Sequence, residues 1–121
     1  MAEKKTLVLG ASANPQRYSY LAINKLADKK HPVVAIGKKE GTVSNVHITT
    51  EKTKIDNIDT VTLYLNPANQ KQYYNYILSL HPKRIIFNPG TENDELSSLA
   101  REKGIEVIEA CTLVLLSTGQ Y

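Results

Sequence analysis

The sequence predicts an α/β protein with an open, parallel five-stranded sheet covered by helices on both faces. Short apolar runs without polar alternation recur along the 121 residues, as in strands that are buried on both faces. Stretches with helical spacing of apolar residues separate these runs, which favours parallel strands joined by crossover helices. With 41% hydrophobic and 22% charged residues, we expect residues 1–121 to fold as one domain.

Five apolar runs give the predicted strands. They cover residues 6–9, 32–36, 61–65, 84–87 and 105–108. In the segment 38–59, the residues Gly41, Thr42, Ser44 and Asn45 favour a loop. We therefore predict mainly a loop there, with a short extended piece at Val43, Val46 and Ile48.

The first two predicted helices follow the first and third strands. Residues 18–30 place alanine, isoleucine and leucine on one face at helical spacing. Asn66 and Pro67 are typical of an N-cap followed by proline in the first turn. We expect the inner face of that second helix to carry four residues, Tyr73, Tyr76, Ile77 and Leu80.

Two further helices complete the prediction. Thr91 and Asp94 resemble a capping box with Asp in place of the usual Glu, and Gly104 indicates the end of that helix. Residues 110–116 are apolar, and we expect them to pack on the sheet as a helical segment.

Charge, cysteine content and hydropathy exclude several classes of protein. The formal net charge of +3 is mild and its lysines are dispersed, unlike the clustered charge of a nucleic-acid-binding face. The single cysteine, Cys111, excludes an internal disulfide and a cysteine-based metal site. No apolar run is long enough to span a bilayer. We therefore expect a cytoplasmic protein without structural metal, membrane association or nucleic-acid partner.

The exit from the first strand carries the most informative pattern. Gly10 permits a tight turn, and Ala11 leaves room for close approach. Ser12 and Asn14 supply hydrogen-bonding side chains, and Arg17 stands near the start of a predicted helix, where free N–H groups attract anions. The pattern is neither G-x-G-x-x-G nor a P-loop, so this exit alone leaves a plain turn and a phosphate site equally open.

Three other strand exits are also polar and marked by glycine or proline. Because parallel strands end at one edge of the sheet, these segments are expected to face the first exit. Gly37, Lys38 and Lys39 follow the second strand, in place of the acidic residue typical of nicotinamide dinucleotide sites. Residues 66–67 and 88–91 follow the third and fourth strands.

The segment Gly10-Ala-Ser-Ala-Asn-Pro-Gln-Arg-Tyr-Ser19 resembles the opening motif of the small CoA-binding domain proteins. These are similar to the N-terminal CoA-binding domain of the succinyl-CoA synthetase alpha subunit. The resemblance extends through the second strand and the 88–90 loop to Cys111. One departure is the Glu-Ala-Cys-Thr run at 109–112, where much of the family has Asp-Arg-Cys-Pro.

The resemblance implies a Rossmann-like fold that binds coenzyme A or an acyl-CoA. It implies that the pyrophosphate contacts six residues of the first loop, namely Gly10, Ala11, Ser12, Asn14, Arg17 and Ser19. Gly37 and Lys38 would lie near the adenosine and its 3′-phosphate, and the remainder of the ligand would lie near Asn66, Pro67, Pro89 and Gly90.

Two other functions remain open. A small enzyme or redox protein using NADP is compatible with the lysines after the second strand. An interaction module that lacks a ligand, including a homodimer, is compatible with the fold class alone. No nucleophile, base and orienting group stand together in the sequence, so we identify no catalytic residue.

Overall fold

The computed structural model describes residues 3–121, which form one seven-stranded sheet with helices on both sides. The strands are β1 (Thr6–Ala11), β2 (Val33–Gly37), β3 (Gly41–Val43), β4 (Val46–Thr49), β5 (Thr60–Leu63), β6 (Arg84–Phe87) and β7 (Glu106–Glu109). The helices are α1 (Tyr18–Asp28), α2 (Pro67–Gln70), α3 (Tyr74–Leu80), α4 (Asp94–Glu102) and α5 (Thr112–Ser117). The predicted α/β class is confirmed, whereas the predicted number of five strands is wrong.

The two additional strands come from the segment predicted to be mainly loop. β4 runs parallel to β2, with Ala35 opposite Ile48, and β3 returns antiparallel to β4. Ser44 and Asn45, which join them, have φ angles of 50° and 65°, as two-residue hairpin turns require. The sequence did not predict this hairpin, because its strands have only three and four residues and its turn lacks glycine.

The strand order β3-β4-β2-β1-β5-β6-β7 places β1 at the point where the chain changes direction. From β1 the chain moves through α1 to β2 on one side, and later returns to β5 on the other side. In open α/β sheets, ligands bind in the crevice at this switch point, beyond the carboxyl ends of the strands. The topology therefore places the expected ligand crevice at the carboxyl end of β1.

Helices cover both faces of the sheet, and the central strand β1 shows why its sequence lacks alternation. Leu7 packs in the same cluster as Ile77 of α3, whereas Val8 packs in the cluster of Ile23 from α1. All four side chains are fully buried. A strand whose two faces are both buried needs apolar residues at every position.

The helix starts agree only partly with prediction. Asn66 caps α2 as predicted. The predicted capping box at Thr91 is wrong, because the Thr91 hydroxyl donates to the carbonyl of Asn88 at 2.7 Å. Asn93 caps α4 instead, and its Oδ1 accepts the N–H of Leu96 at 3.2 Å.

The region after Pro67 is three short pieces rather than one helix: α2, a 3-10 turn at Lys71–Tyr73, and α3. Gly104, with φ of 77°, follows α4 as predicted. Within residues 3–121, no helix combines the length and apolar character needed to cross a membrane.

Candidate functional site

A cleft of about 900 Å³ lies at the carboxyl ends of β1, β2, β5 and β6. Its walls are residues 10–14 and 16–19 from the end of β1 into α1, 38–40 after β2, 64–66 and 69 after β5, and 89–91 after β6. Its volume is within the range of small-molecule and cofactor sites. A more open groove of about 860 Å³ runs between α1 and α5, away from the strand ends.

The first loop leaves the sheet through a bulge at Gly10. The pairing of β1 with β2 shifts between Leu9 and Ala11, so that Gly10 is an extra residue in the strand. Gly10 has φ of 92°, and a Cβ placed on it would lie 2.9 Å from the main-chain carbon of Tyr64. Only glycine satisfies both conditions, and the bulge turns the chain towards the cleft.

Side chains within the first loop fix its shape. The Ser12 hydroxyl accepts the N–H of Asn14 at 3.1 Å, and Asn14 Oδ1 accepts the N–H of Gln16 at 3.0 Å. The main-chain oxygen of Asn14 also accepts the N–H of Arg17 at 3.0 Å. Ser12 and Asn14 therefore hold the loop in place, and each still has donors available to a ligand.

Other main-chain donors of the first loop are free. The N–H groups of Ser12, Ala13, Tyr18 and Ser19 donate to no protein acceptor among residues 3–121. The last two belong to the first turn of α1, an 11-residue helix whose N-terminal dipole favours negative charge. The loop and the helix start thus present several N–H groups at the cleft, as an anion-binding loop does.

Positive side chains lie beside these donors. Arg17, Lys38 and Lys39 line the cleft, are exposed, and form no ion pair with another described residue. Glu40 lines the same wall, and its Oε1 lies 3.8 Å from Nε2 of the exposed His47. This half of the cleft therefore has an excess of positive charge.

Gln70 connects the two exit loops on the other side of the cleft. It is fully buried, and its Nε2 donates to the carbonyls of Leu65 and Thr91 at 2.8 Å each. Its Oε1 accepts from Nδ2 of Asn93, the N-cap of α4, at 2.8 Å. One satisfied amide therefore holds the exits of β5 and β6 at a fixed separation.

Tyr64 lines the cleft but turns its hydroxyl into the protein, where it has no hydrogen-bond partner among the described residues. The nearby hydroxyls of Thr62 and Thr112 bond each other at 2.8 Å, and Thr62 also accepts from Asn88 at 2.7 Å. Burial, followed by the proximity of Cys111, raises the pKa of Tyr64. The phenol is accordingly uncharged at neutral pH.

Most of the residues proposed from the sequence meet at this cleft. Those that line it are Gly10, Ala11, Ser12, Asn14, Arg17, Ser19, Lys38, Asn66, Pro89 and Gly90. Gly37 and Pro67 do not line it. A Cβ on Gly37 would lie 2.1 Å from the carbonyl oxygen of Ala11, so this glycine serves the close packing of β1 on β2. Pro67 instead occupies the first turn of α2.

The structure also adds lining residues that sequence reasoning missed. Tyr64 and Leu65 line the cleft because β5 ends at Leu63, two residues before the predicted end. Asn69, the third residue of α2, also lines it, and so does Thr91, which belongs to the 88–91 segment expected to face the first exit. A strand end placed two residues earlier would have identified the first two. Cys111 is half-buried and does not line the cleft.

A profile of the CoA binding domain matches residues 4–117. The chain belongs to the CoA-binding domain family. The match spans every strand of the sheet and every loop of the cleft. A comparison with curated protein sequences found no match.

Solved structures with the same fold include an uncharacterised protein of 52% identity, with a TM-score of 0.97 and full coverage of both chains. A hypothetical protein from Pyrococcus horikoshii OT3 is 24% identical, with a TM-score of 0.86 over 96% of this chain and 83% of the other. A Thermus thermophilus protein is 18% identical, with a TM-score of 0.86 over 98% and 91%. The two distant likenesses support a Rossmann-like fold.

Proposed function

We propose that this chain binds coenzyme A or an acyl-CoA in the cleft at the carboxyl edge of the sheet. The observation that carries the proposal is the combination of free N–H groups in the first loop and three unpaired cations on one wall. A diphosphate fits such a wall because its oxygens accept several hydrogen bonds and its charge is neutralised. Membership of the CoA-binding domain family supports the same ligand.

The positions of the charges suggest how the ligand lies. The pyrophosphate would accept from the N–H groups of Ser12, Ala13 and Ser19, with Arg17 beside it. The 3′-phosphate of the adenosine would lie near Lys38 and Lys39 at the exit of β2. The pantetheine arm would then extend over the exits of β5 and β6.

We further propose that the protein binds its ligand without catalysing a reaction. The described residues that line the cleft include no histidine or cysteine, and their only carboxylate is Glu40. The one tyrosine hydroxyl whose pKa is strongly raised, Tyr64, is buried away from the cleft surface. The lining therefore lacks an adjacent nucleophile and base.

Calorimetric titration with CoA, acetyl-CoA and dephospho-CoA tests the proposal. CoA and acetyl-CoA should bind, and dephospho-CoA should bind more weakly because it lacks the phosphate assigned to Lys38 and Lys39. Competition with NADPH tests the alternative of an NADP-dependent protein. No binding of any CoA compound at millimolar concentration, or displacement of CoA by a much tighter NADPH, would contradict the proposal.

The variant Arg17→Ala should weaken CoA binding by about 1.5–3 kcal/mol, because it removes a charge-assisted hydrogen bond to phosphate. Calorimetry measures the change. Arg101→Ala is the matched control, since Arg101 is exposed in the last turn of α4 and does not line the cleft. Equal affinities of the two variants would remove Arg17 from the site.

A further inference from the structure

The two halves of the cleft differ in charge. Arg17, Lys38 and Lys39 lie at the exits of β1 and β2. At the carboxyl ends of β5, β6 and β7, residues 64–66, 88–92 and 109–111 include no lysine or arginine, and their charged side chains are Glu92 and Glu109. A ligand that spans the cleft therefore passes from a cationic half to a half that is neutral or acidic.

Glu92 lies next to the wall of the second half, although its own side chain does not line the cleft. Its Oε1 accepts the N–H of Gly90 at 2.9 Å, and Gly90 lines the cleft. Glu109 ends β7 opposite Phe87, the last residue of β6, so it stands at the same edge of the sheet. The Glu92 carboxylate is thus held beside Gly90, near the place where the distal part of a ligand would lie, whereas the exposed Glu109 only shares this edge of the sheet.

At the exit of β6, the main-chain donors that line the cleft are already used within the protein. The N–H of Thr91 donates to the carbonyl of Asn88 and the N–H of Gly90 donates to Oε1 of Glu92, both at 2.9 Å, whereas Pro89 has no N–H. The N–H groups of Leu65 and Asn66, at the exit of β5, donate to no acceptor among residues 3–121. A carboxylate beside the exit of β6 would therefore meet neither a cation nor a free N–H group of this loop, in contrast to the free donors of the first loop.

We infer that the part of the cleft beside the exit of β6 accepts a free thiol or an uncharged acyl group and binds acyl groups that end in a carboxylate more weakly. The inference rests on the proposed function, because the phosphates of CoA all lie towards its adenosine end and so occupy the cationic half. The pantetheine arm then crosses β5 towards β6, about 10 Å or two strand spacings from β1. A terminal carboxylate there loses hydration without gaining a partner and is repelled by Glu92.

Matched four-carbon thioesters test the inference. Calorimetry at low ionic strength should give a dissociation constant for succinyl-CoA about three- to tenfold higher than that for butyryl-CoA, and added salt should reduce this ratio. Glu92→Gln keeps an oxygen acceptor for the Gly90 N–H but removes the charge, so it should lower the ratio. Glu102→Gln, exposed at the end of α4, should leave the ratio unchanged.

The outcomes separate this inference from the proposed function. Succinyl-CoA binding as tightly as butyryl-CoA, or a ratio that Glu92→Gln does not alter, overturns the inference while CoA binding stands. If CoA and both thioesters fail to bind, the proposed function is overturned, and the selectivity falls with it.

Discussion

Gly37 is a packing residue at the edge of the site. Its φ is not in the left-handed region, so backbone strain does not explain the glycine. A Cβ at this position would lie 2.1 Å from the carbonyl oxygen of Ala11 and 3.2 Å from Cγ2 of Ile48. The absence of a side chain therefore allows the end of β1 to approach β2 closely, just beyond the Gly10 bulge.

Gly37→Ala should lower the free energy of unfolding by about 3 kcal/mol, near the upper end for an over-packed site, because main-chain atoms must move to admit the methyl group. Urea unfolding measures the loss. Gly41→Ala is the matched control: its Cβ would meet only side chains, with Ala13 Cβ nearest at 3.0 Å, so it should cost less. Equal losses in the two variants would contradict the packing role of Gly37.

At the scale of elements, the amide of Gln70 joins two exit loops. α2 is only one turn long, so it cannot hold these loops by its own stability. The side chain of its last residue does so instead, through the carbonyls of Leu65 and Thr91. The separation of the β5 and β6 exits, and thus the shape of the cleft, depends on this contact.

Gln70→Ala should lower the free energy of unfolding by about 2–4 kcal/mol, because it leaves several buried polar groups without partners. Urea unfolding checks the loss. Gln72→Ala, in the adjacent 3-10 turn, is the control, since the Gln72 side chain is exposed and should tolerate truncation within about 0.5 kcal/mol. A Gln70→Ala variant as stable as the control would show that the amide does not brace the loops.

The elements that could be predicted from sequence are those whose signal is local. β6 was predicted with its observed bounds of Arg84–Phe87, because it is a continuous apolar run bounded by turn residues. The β3–β4 hairpin could not be predicted in the same way, since its short strands are stabilised by pairing with β2. The cap of α4 was misassigned because Thr91 and Asn93 both suit an N-cap. In the structure the Thr91 hydroxyl donates to the carbonyl of Asn88 instead, and the amide of Asn93 is fixed by its tertiary contact with Gln70.

The residues of the site could be predicted as far as the strands could be assumed to be parallel. Polar exits of parallel strands must share one edge, which brought Arg17, Lys38 and Pro89 to one cleft. The packing role of Gly37 and the bracing role of Gln70 were not visible, because each depends on atoms far away in the chain. Long-range contacts of this kind have no periodic signature.

At the scale of the whole molecule, residues from both ends of the described chain pack together at the edge of the sheet opposite the cleft. Nδ1 of His31 accepts the N–H of Lys4 at 2.9 Å, and its ring lies 5.0 Å from that of Tyr121. The guanidinium of Arg84 lies 4.4 Å from the centre of the same Tyr121 ring. This arrangement requires a neutral His31, because a protonated ring has no lone pair to accept from Lys4.

Stability should therefore depend on pH through His31. Burial lowers the pKa of His31 below its ordinary value of 6.5, followed by the effect of Lys4 and Arg84, and outweighs the opposing effect of Glu3 and Asp59. The unfolded chain thus binds this proton more readily than the folded chain, so the contribution is fully present above pH 6.5. It should decline as the pH falls below 6.5, until the pH is below the folded pKa.

Urea unfolding of the wild type and His31→Asn between about pH 7.5 and pH 5 isolates this contribution from that of the carboxylates. The asparagine keeps an oxygen acceptor for the Lys4 N–H but does not titrate, so the variant should lose less stability on acidification. His47→Asn, at an exposed position, should follow the wild type. Parallel pH profiles for the wild type and His31→Asn would mean that the protonation of His31 is not linked to folding. The contacts of His31 with Lys4 and Tyr121 would then persist when the ring is charged.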